Sequence, residues 1–182
     1  MPKNMIVLTG SPRRGGNSDT LADSFIEGAE AKGHSVFKFE TAFHRISACA
    51  GCNICIQKGE GCVIHDDFYK LVPHFENADV IVFASPLYWC GVSAQLKLVW
   101  DRFHAYTRGK GRARQHIKES VFLLTLHEKS PIYAPLVSIY KDCGHFMGWT
   151  DRGVIAAGGL LGKDDIKGSS VLQDAYELGK SL

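Results

Sequence analysis

Short runs of β-branched and aromatic residues alternate with stretches of helical periodicity along the whole chain, and few folds accommodate that order. Met5-Ile6-Val7-Leu8, Val36-Phe37-Lys38-Phe39, Val80-Ile81-Val82-Phe83-Ala84, Val121-Phe122-Leu123-Leu124 and Gly153-Val154-Ile155-Ala156-Ala157 read as strands. The third run is apolar on both faces, as in a sheet covered on both sides. Between the runs, Leu21, Ala22, Phe25, Ile26 and Ala29 follow helical spacing and stop at Gly33. So do Phe68, Leu71, Val72 and Phe75, where Pro73 is expected to bend or split the helix. Leu96, Val99, Trp100 and Phe103 repeat the pattern behind Ser93, a natural N-cap. Pro131 suits the first turn of a helix after the fourth strand, and Val171, Leu172, Ala175 and Leu178 mark the last helix. The alternation predicts an α/β fold, with one parallel sheet between helices and a single domain over residues 1–182.

Composition narrows the class of partner. The chain has 182 residues, 45% of them apolar, enough for one buried core and too many for intrinsic disorder. Lys+Arg 21 against Asp+Glu 19 leaves a formal charge of +2, too small to imply a nucleic-acid or membrane partner. The longest uncharged stretch, Val80 to Leu96, is interrupted by Ser85, Pro86, Gly91 and Gln95. It falls short of the roughly 18 apolar residues of a membrane span. The first residues lack the apolar run of about 7–15 residues of a signal peptide. The expectation is a soluble, cytoplasmic protein.

Doubly wound sheets bind ligands beyond the carboxyl ends of their strands, where the strand order reverses. For the order 2-1-3-4-5 that point lies between the first and third strands, so residues 10–18 and 85–93 should form the site. The first loop reads Gly10-Ser11-Pro12-Arg13-Arg14-Gly15-Gly16-Asn17-Ser18. It leads into a helix start, where free N–H groups and the dipole favour an anion. It matches neither a Walker A sequence nor the GxGxxG fingerprint, which leaves a terminal phosphate, as on a mononucleotide. The second loop, Ser85-Pro86-Leu87-Tyr88-Trp89-Cys90-Gly91, sets two aromatics on the expected rim, suited to stacking on a flat heteroaromatic ring. Phosphate plus flat ring suggests flavin mononucleotide (FMN). Cys90 reads as a small buried hydrophobe.

These two loops, with Ser93-Ala94-Gln95-Leu96-Lys97 opening the next helix, resemble the NAD(P)H-dependent FMN reductases of the flavodoxin-like fold. The closing segment from Gly148-Trp149, through Ala157-Gly158-Gly159 to Ala175-Tyr176-Glu177-Leu178-Gly179-Lys180, is similar to that family as well. The resemblance implies a flavodoxin-like, doubly wound, five-stranded sheet of order 2-1-3-4-5. By motif match it implies FMN phosphate on Ser11, Arg13, Asn17 and Ser18, and the isoalloxazine beside Pro86, Leu87, Tyr88, Trp89 and Gly91. It further implies NAD(P)H as co-substrate and a homodimer or homotetramer with the flavin near the subunit contact.

Four of the six cysteines crowd into one loop at 49–62: Cys49, Cys52, Cys55 and Cys62. Spacings of two residues can wrap an iron–sulfur cubane, although the final gap of six and Val63 depart from the bacterial ferredoxin run. Within the family the pattern is most similar to the iron–sulfur flavoprotein branch, which implies a [4Fe–4S] cluster. The residues leave three occupants open: such a cluster, free or redox-active thiols, or zinc.

Arg108, Lys110, Arg112, Arg114 and Lys118 form a basic stretch without interleaved aromatics, read as solvated surface rather than a nucleic-acid site. His127-Glu128-Lys129-Ser130 falls after the fourth strand and reads as a wall of the flavin site. His65, His74 and His145 read as surface or packing residues. The functional expectation is an FMN-dependent oxidoreductase moving electrons between NAD(P)H, or a reduced ferredoxin-like partner, and a flavin, quinone or other small acceptor. An electron carrier with no substrate of its own, a cluster-free flavin reductase and a zinc-stabilised nucleotide-binding domain are the rivals.

Overall fold

The structure, a computed structural model, describes residues 1–129 and 131–182; Ser130 of the His127–Ser130 stretch lies outside them. Five strands, β1 (Asn4–Thr9), β2 (Ser35–Glu40), β3 (Val80–Pro86), β4 (Glu119–Thr125) and β5 (Thr150–Ala157), pair in parallel in the order β2-β1-β3-β4-β5. This is the flavodoxin-like doubly wound sheet expected. Successive residues of a strand face opposite sides, so each central strand feeds two cores. Ile6, Leu8, Phe83 and Phe122 pack against α3 (Phe68–Asn77), α4 (Ala94–Arg102) and α6 (Ala134–Met147). Met5, Val7, Val82 and Leu123 pack against α1 (Asn17–Ala31) and α7 (Ser170–Lys180). Among the described residues no helix is long and apolar enough to cross a membrane.

Several local expectations need correction. Pro73 neither splits α3 nor ends it: the helix continues to Asn77, whose side chain donates to the Pro73 carbonyl at 2.7 Å. Buried Phe68, Leu71 and Phe75 hold the helix to the core on either side of the one missing N–H. The sixth helix starts not at Pro131 but at Ala134, with Pro135 in its first turn, and the Pro131 carbonyl accepts from Ala134 N–H in the preceding turn. The fifth strand begins at Thr150, because a register shift opposite Ser120/Val121 lets the polar Thr150 and Asp151 pair with β4.

Two short helices lie outside the periodic pattern, α2 (Ile54–Lys58) in the cysteine loop and α5 (Gly109–Arg114) in the basic stretch. The basic stretch is not all solvated surface. Arg112 Nη1 donates to the Phe146 carbonyl at the end of α6, and Arg114 Nε lies 3.2 Å from Glu76 of α3. Helix ends leave carbonyls unpaired, and a guanidinium satisfies them.

Candidate functional site

The carboxyl ends of β1 and β3 are drawn together by one serine. Gly10 extends the ladder by donating to the Ala84 carbonyl at 2.8 Å. Ser93, the N-cap of α4, donates its hydroxyl to the Gly10 carbonyl at 2.6 Å. Its own N–H donates to Ser85 Oγ at 2.9 Å, and its Oγ accepts from Leu96 N–H. The contact is close enough that any side chain at Gly10 would collide with Ser93 Oγ and come within 2.8 Å of Leu96 Cβ.

Beyond that junction the first loop folds on itself. Arg13 N–H donates to Ser11 Oγ at 3.1 Å, and Gly15 N–H donates to the buried Asp19 carboxylate at 3.0 Å. The start of α1, where first-turn N–H groups lack a helical partner, borders a cavity of about 280 Å³ lined in part by Gly16, Asn17 and Ser18. Its lining includes Ser11, Arg13, Asn17 and Ser18 from the first loop and Pro86, Leu87 and Tyr88 from the second. Arg13 and Lys163 are cationic, and no carboxylate is among the lining residues. The helix dipole and two cations make this end attractive to a phosphate.

The two arginines divide. Arg13 lines the cavity, whereas Arg14 turns to the end of β2, with Nε 3.7 Å from Glu40 and its guanidinium 4.0 Å from the Phe43 ring centroid. Asn17 is also committed to the fold: its amide donates to the Gly162 carbonyl at 2.7 Å and accepts from Ile166 N–H at 3.3 Å. Ser18 and Thr125 share a hydrogen bond of 2.6 Å.

Trp89 and Gly91 are not part of the lining. Tyr88 and Gly91 exchange both backbone hydrogen bonds at 2.9 Å, closing a two-residue turn through Trp89 (φ 50°) and Cys90 (φ 62°). A turn with two positive φ values favours Asn or Gly, and each ordinary residue placed there costs roughly 1–2 kcal/mol. The turn leaves Trp89 fully exposed at 102% and Cys90 exposed, so Cys90 is not the buried hydrophobe expected. The reason is local. A tight turn projecting beyond the carboxyl end of β3 has no core to enter.

We expect Tyr88→Ala to weaken FMN binding roughly 2- to 12-fold, the worth of one aromatic contact. Trp89→Ala should stay within about twofold. A flavin-fluorescence titration separates the two, and an equal loss from both would put Trp89 on the ring.

The remaining walls were less legible. Thr125 ends β4 and Leu126 and His127 follow it, the side expected for His127, while Leu160, Leu161 and Lys163 follow β5. Gly158-Gly159 at the end of β5 was the available signal: a Cβ on Gly158 would strike the Glu128 carbonyl, so the β4 and β5 loops meet there.

The cysteine loop packs elsewhere. None of Cys49, Cys52, Cys55 and Cys62 lines the cavity. Cys55 and Cys62 rest against the core shared with α3 and α4, and Asn53 Oδ1 lies 3.2 Å from His104 Nε2. The loop is glycine-hinged, with Gly51, Gly59, Gly61 and Asn53 all at positive φ. Burial pushes the Cys55 thiol up, and the charge of Cys62, Cys52 and Cys49 adds to that, against a backbone N–H at Ile56 that lowers it. Four thiols carried by one short loop supply the ligand number and type of an iron–sulfur cubane, so the donor set fits a thiolate-held cluster. Among the described residues, no three His, Cys, Asp or Glu side chains are gathered as ligands of a single metal ion.

The chain is similar to several known proteins. The chain is 37% identical over 99 residues to an iron–sulfur flavoprotein of Archaeoglobus fulgidus, a match covering 54% of this chain and 44% of that protein. The chain spans about half the length of the first such relatives it matches. It is 24% identical over 179 residues to YwqN of Bacillus subtilis, provisionally described as an NAD(P)H-dependent FMN-containing oxidoreductase, covering 96% of this chain and 95% of YwqN. In fold it superimposes on an NAD(P)H:quinone oxidoreductase from Methanothermobacter marburgensis with a TM-score of 0.81. That likeness has 21% identity and covers 100% of this chain and 96% of the other. The family model described as NADPH-dependent FMN reductase matches residues 4–125. With more than half of its length matched, the chain belongs to the NADPH-dependent FMN reductase family.

Proposed function

We propose that this chain is an FMN-dependent oxidoreductase that draws electrons from NAD(P)H and passes them to a flavin, quinone or other small acceptor. The observation that carries the reading is the cavity at the β1–β3 junction, cationic at the α1 end and apolar along Pro86, Leu87 and Leu126. In this reading residues 1–182 act as one FMN-binding unit. The first-turn N–H groups of α1 and the Arg13 guanidinium hold the phosphate, while Ser11 and Asp19 shape the loop that presents them. Pro86, Leu87 and Tyr88 give the ring a flat side and keep water from it. Ser18 and Asn17 act mainly by pinning the neighbouring loops. Bound FMN supplies a two-electron acceptor for hydride, chemistry that needs no protein acid or base, and none is assigned.

Cys49, Cys52, Cys55 and Cys62 are proposed to hold a [4Fe–4S] cluster, which when bound supplies one-electron exchange with the flavin or a ferredoxin-like partner. The absence of these cysteines from the cavity lining supports a second reading, a cluster-free reductase in which the loop is incidental to flavin turnover. We also propose a homodimer or homotetramer, in which a second copy's loop approaches the flavin.

Anaerobically purified protein tests both readings. We expect FMN in stoichiometric amount, iron and acid-labile sulfide in equal number, and steady NAD(P)H consumption with a quinone. Each Cys→Ala change at the four positions should abolish the broad visible absorbance and the iron, whereas Cys90→Ala and Cys143→Ala should not. FMN without iron or sulfide, even after reconstitution, would leave the cluster-free reductase. Bound FMN without NAD(P)H consumption would leave the carrier.

A further inference from the structure

The cysteine loop has no core of its own. No residue from Ser47 to Asp67 is fully buried, and α2 contributes no buried side chain. What closes the loop is a set of bonds at its base. Asp66 Oδ2 accepts from Ser47 N–H at 2.8 Å, joining the segment just before Cys49 to the segment just after Cys62. Asp67 accepts from Arg45 N–H at 2.8 Å, and its own N–H donates to the Arg45 carbonyl at 3.1 Å.

Arg102, the last residue of α4, seals this base from inside. Its Nη1 donates to both Asp66 oxygens at 2.6 Å, and its Nη2 donates to the Ile64 carbonyl at 2.7 Å. The Arg102 side chain is completely buried and lies 4.2 Å from the Phe68 ring centroid. Burial would raise the Asp66 carboxyl pKa, but hydrogen bonds from Arg102 and from the Ser47 and Phe68 N–H groups hold it below the usual range. The pair is therefore charged. A buried ion pair is a poor source of stability compared with apolar packing, and its best-attested use is to specify one arrangement. Here it specifies where the two limbs of the loop meet. The same helix, at its first turn, is tied through Ser93 to the Gly10 carbonyl of the phosphate loop.

We propose that Asp66 and Arg102 are positioning residues for the cysteine site: they clamp the two limbs of the Cys49–Cys62 loop at its base, which shortens the search its thiols make to gather on one centre, and they join the loop to the helix that starts at the flavin loop. The inference rests on the cysteines being cluster ligands.

The test uses the full chain with Asp66→Asn, Arg102→Met and the conservative Arg102→Lys. Three quantities are read: FMN per chain, the rate of iron release to a ferrous chelator after reconstitution with iron and sulfide, and amide hydrogen exchange over residues 47–64 before reconstitution. Loss of a group that orients metal ligands typically costs about 10–100-fold in affinity. We expect iron release to quicken by about that factor in Asp66→Asn and Arg102→Met. Exchange should rise within 47–64 but not in the sheet, FMN should stay at parent stoichiometry, and Arg102→Lys should recover part of the loss. Variants that bind FMN yet release iron and exchange residues 47–64 at parent rates overturn the proposal. So does exchange that rises throughout the molecule while iron is held as in the parent, the mark of an ion pair serving stability alone. Should Asp66→Asn and Arg102→Met not fold, Arg102→Lys decides: it keeps the charge and loses the fork, and parent-like iron release and loop exchange overturn the proposal. If the parent takes up no iron, the cluster reading has failed, and loop exchange in the same variants still decides whether the clamp exists.

Discussion

Replacing Arg13 and Asn17 together by alanine is expected to weaken FMN binding by roughly two to three orders of magnitude. Arg13 is the loop cation that lines the cavity, and a hydrogen bond to a charged phosphate is worth about 1.5–3 kcal/mol. Asn17 adds a second loss, because its amide joins the start of α1 to Gly162 and Ile166 on the opposite wall. Arg14→Ala is the internal control. Its side chain serves Glu40 and Phe43 at the end of β2, so affinity should stay within about threefold, the worth of an exposed ion pair. Equilibrium dialysis of the deflavinated proteins against FMN gives all three constants. Parent-like binding by the double variant would remove the phosphate from this loop.

The second large effect concerns stability. Gly28 of α1 lies against the Tyr176 carbonyl of α7, and Gly179 of α7 lies against the Phe25 carbonyl of α1. A Cβ at either position would overlap a backbone oxygen that no rotamer change can move. In an exposed helix interior, Gly→Ala gains about 0.5–1 kcal/mol. At Gly28 the sign should reverse: prising the helices apart is expected to cost about 2–3 kcal/mol, near the upper end for an overpacked core. For a chain of this size that lowers Tm by roughly 5–10 °C. Glu30→Ala, on the exposed face of the same helix, should change stability by no more than about 0.5 kcal/mol. A thermal melt of the two variants checks the contrast, and a stabilised Gly28→Ala would mean that the α1–α7 contact is looser than described.

Most of the scaffold was legible in the chain because its signals are local. The five strand runs, the Ser93 cap and the order 2-1-3-4-5 stand where the pattern and the family resemblance put them. Seven of the nine residues named for the flavin come together around one cavity: Ser11, Arg13, Asn17, Ser18, Pro86, Leu87 and Tyr88. Trp89 and Gly91 stand off it because the backbone bonds between Tyr88 and Gly91 close a turn that turns the tryptophan outward. Adjacent aromatics in a sequence carry no record of that turn, since Trp-Cys is an unfavourable pair for positive φ.

The division between what residue order decided and what folding decided follows from the range of each interaction. Strand and helix periods are properties of the backbone, so a run such as Val80–Ala84 declares its element and its two buried faces without reference to the rest of the chain. A helix start exposes N–H groups wherever it occurs, which is why the loop before α1 was readable as an anion site. The far wall of that site, the contact of Gly28 with Tyr176 and the clamp on the cysteine loop have no such local sign. Asn17 meets Gly162 across 145 residues and Arg102 meets Asp66 across 36. Neither partner in these contacts carries a sign of the other in its own segment; the contact arises only when the sheet brings distant loops together, where close packing leaves a single geometry in which their hydrogen bonds are all made.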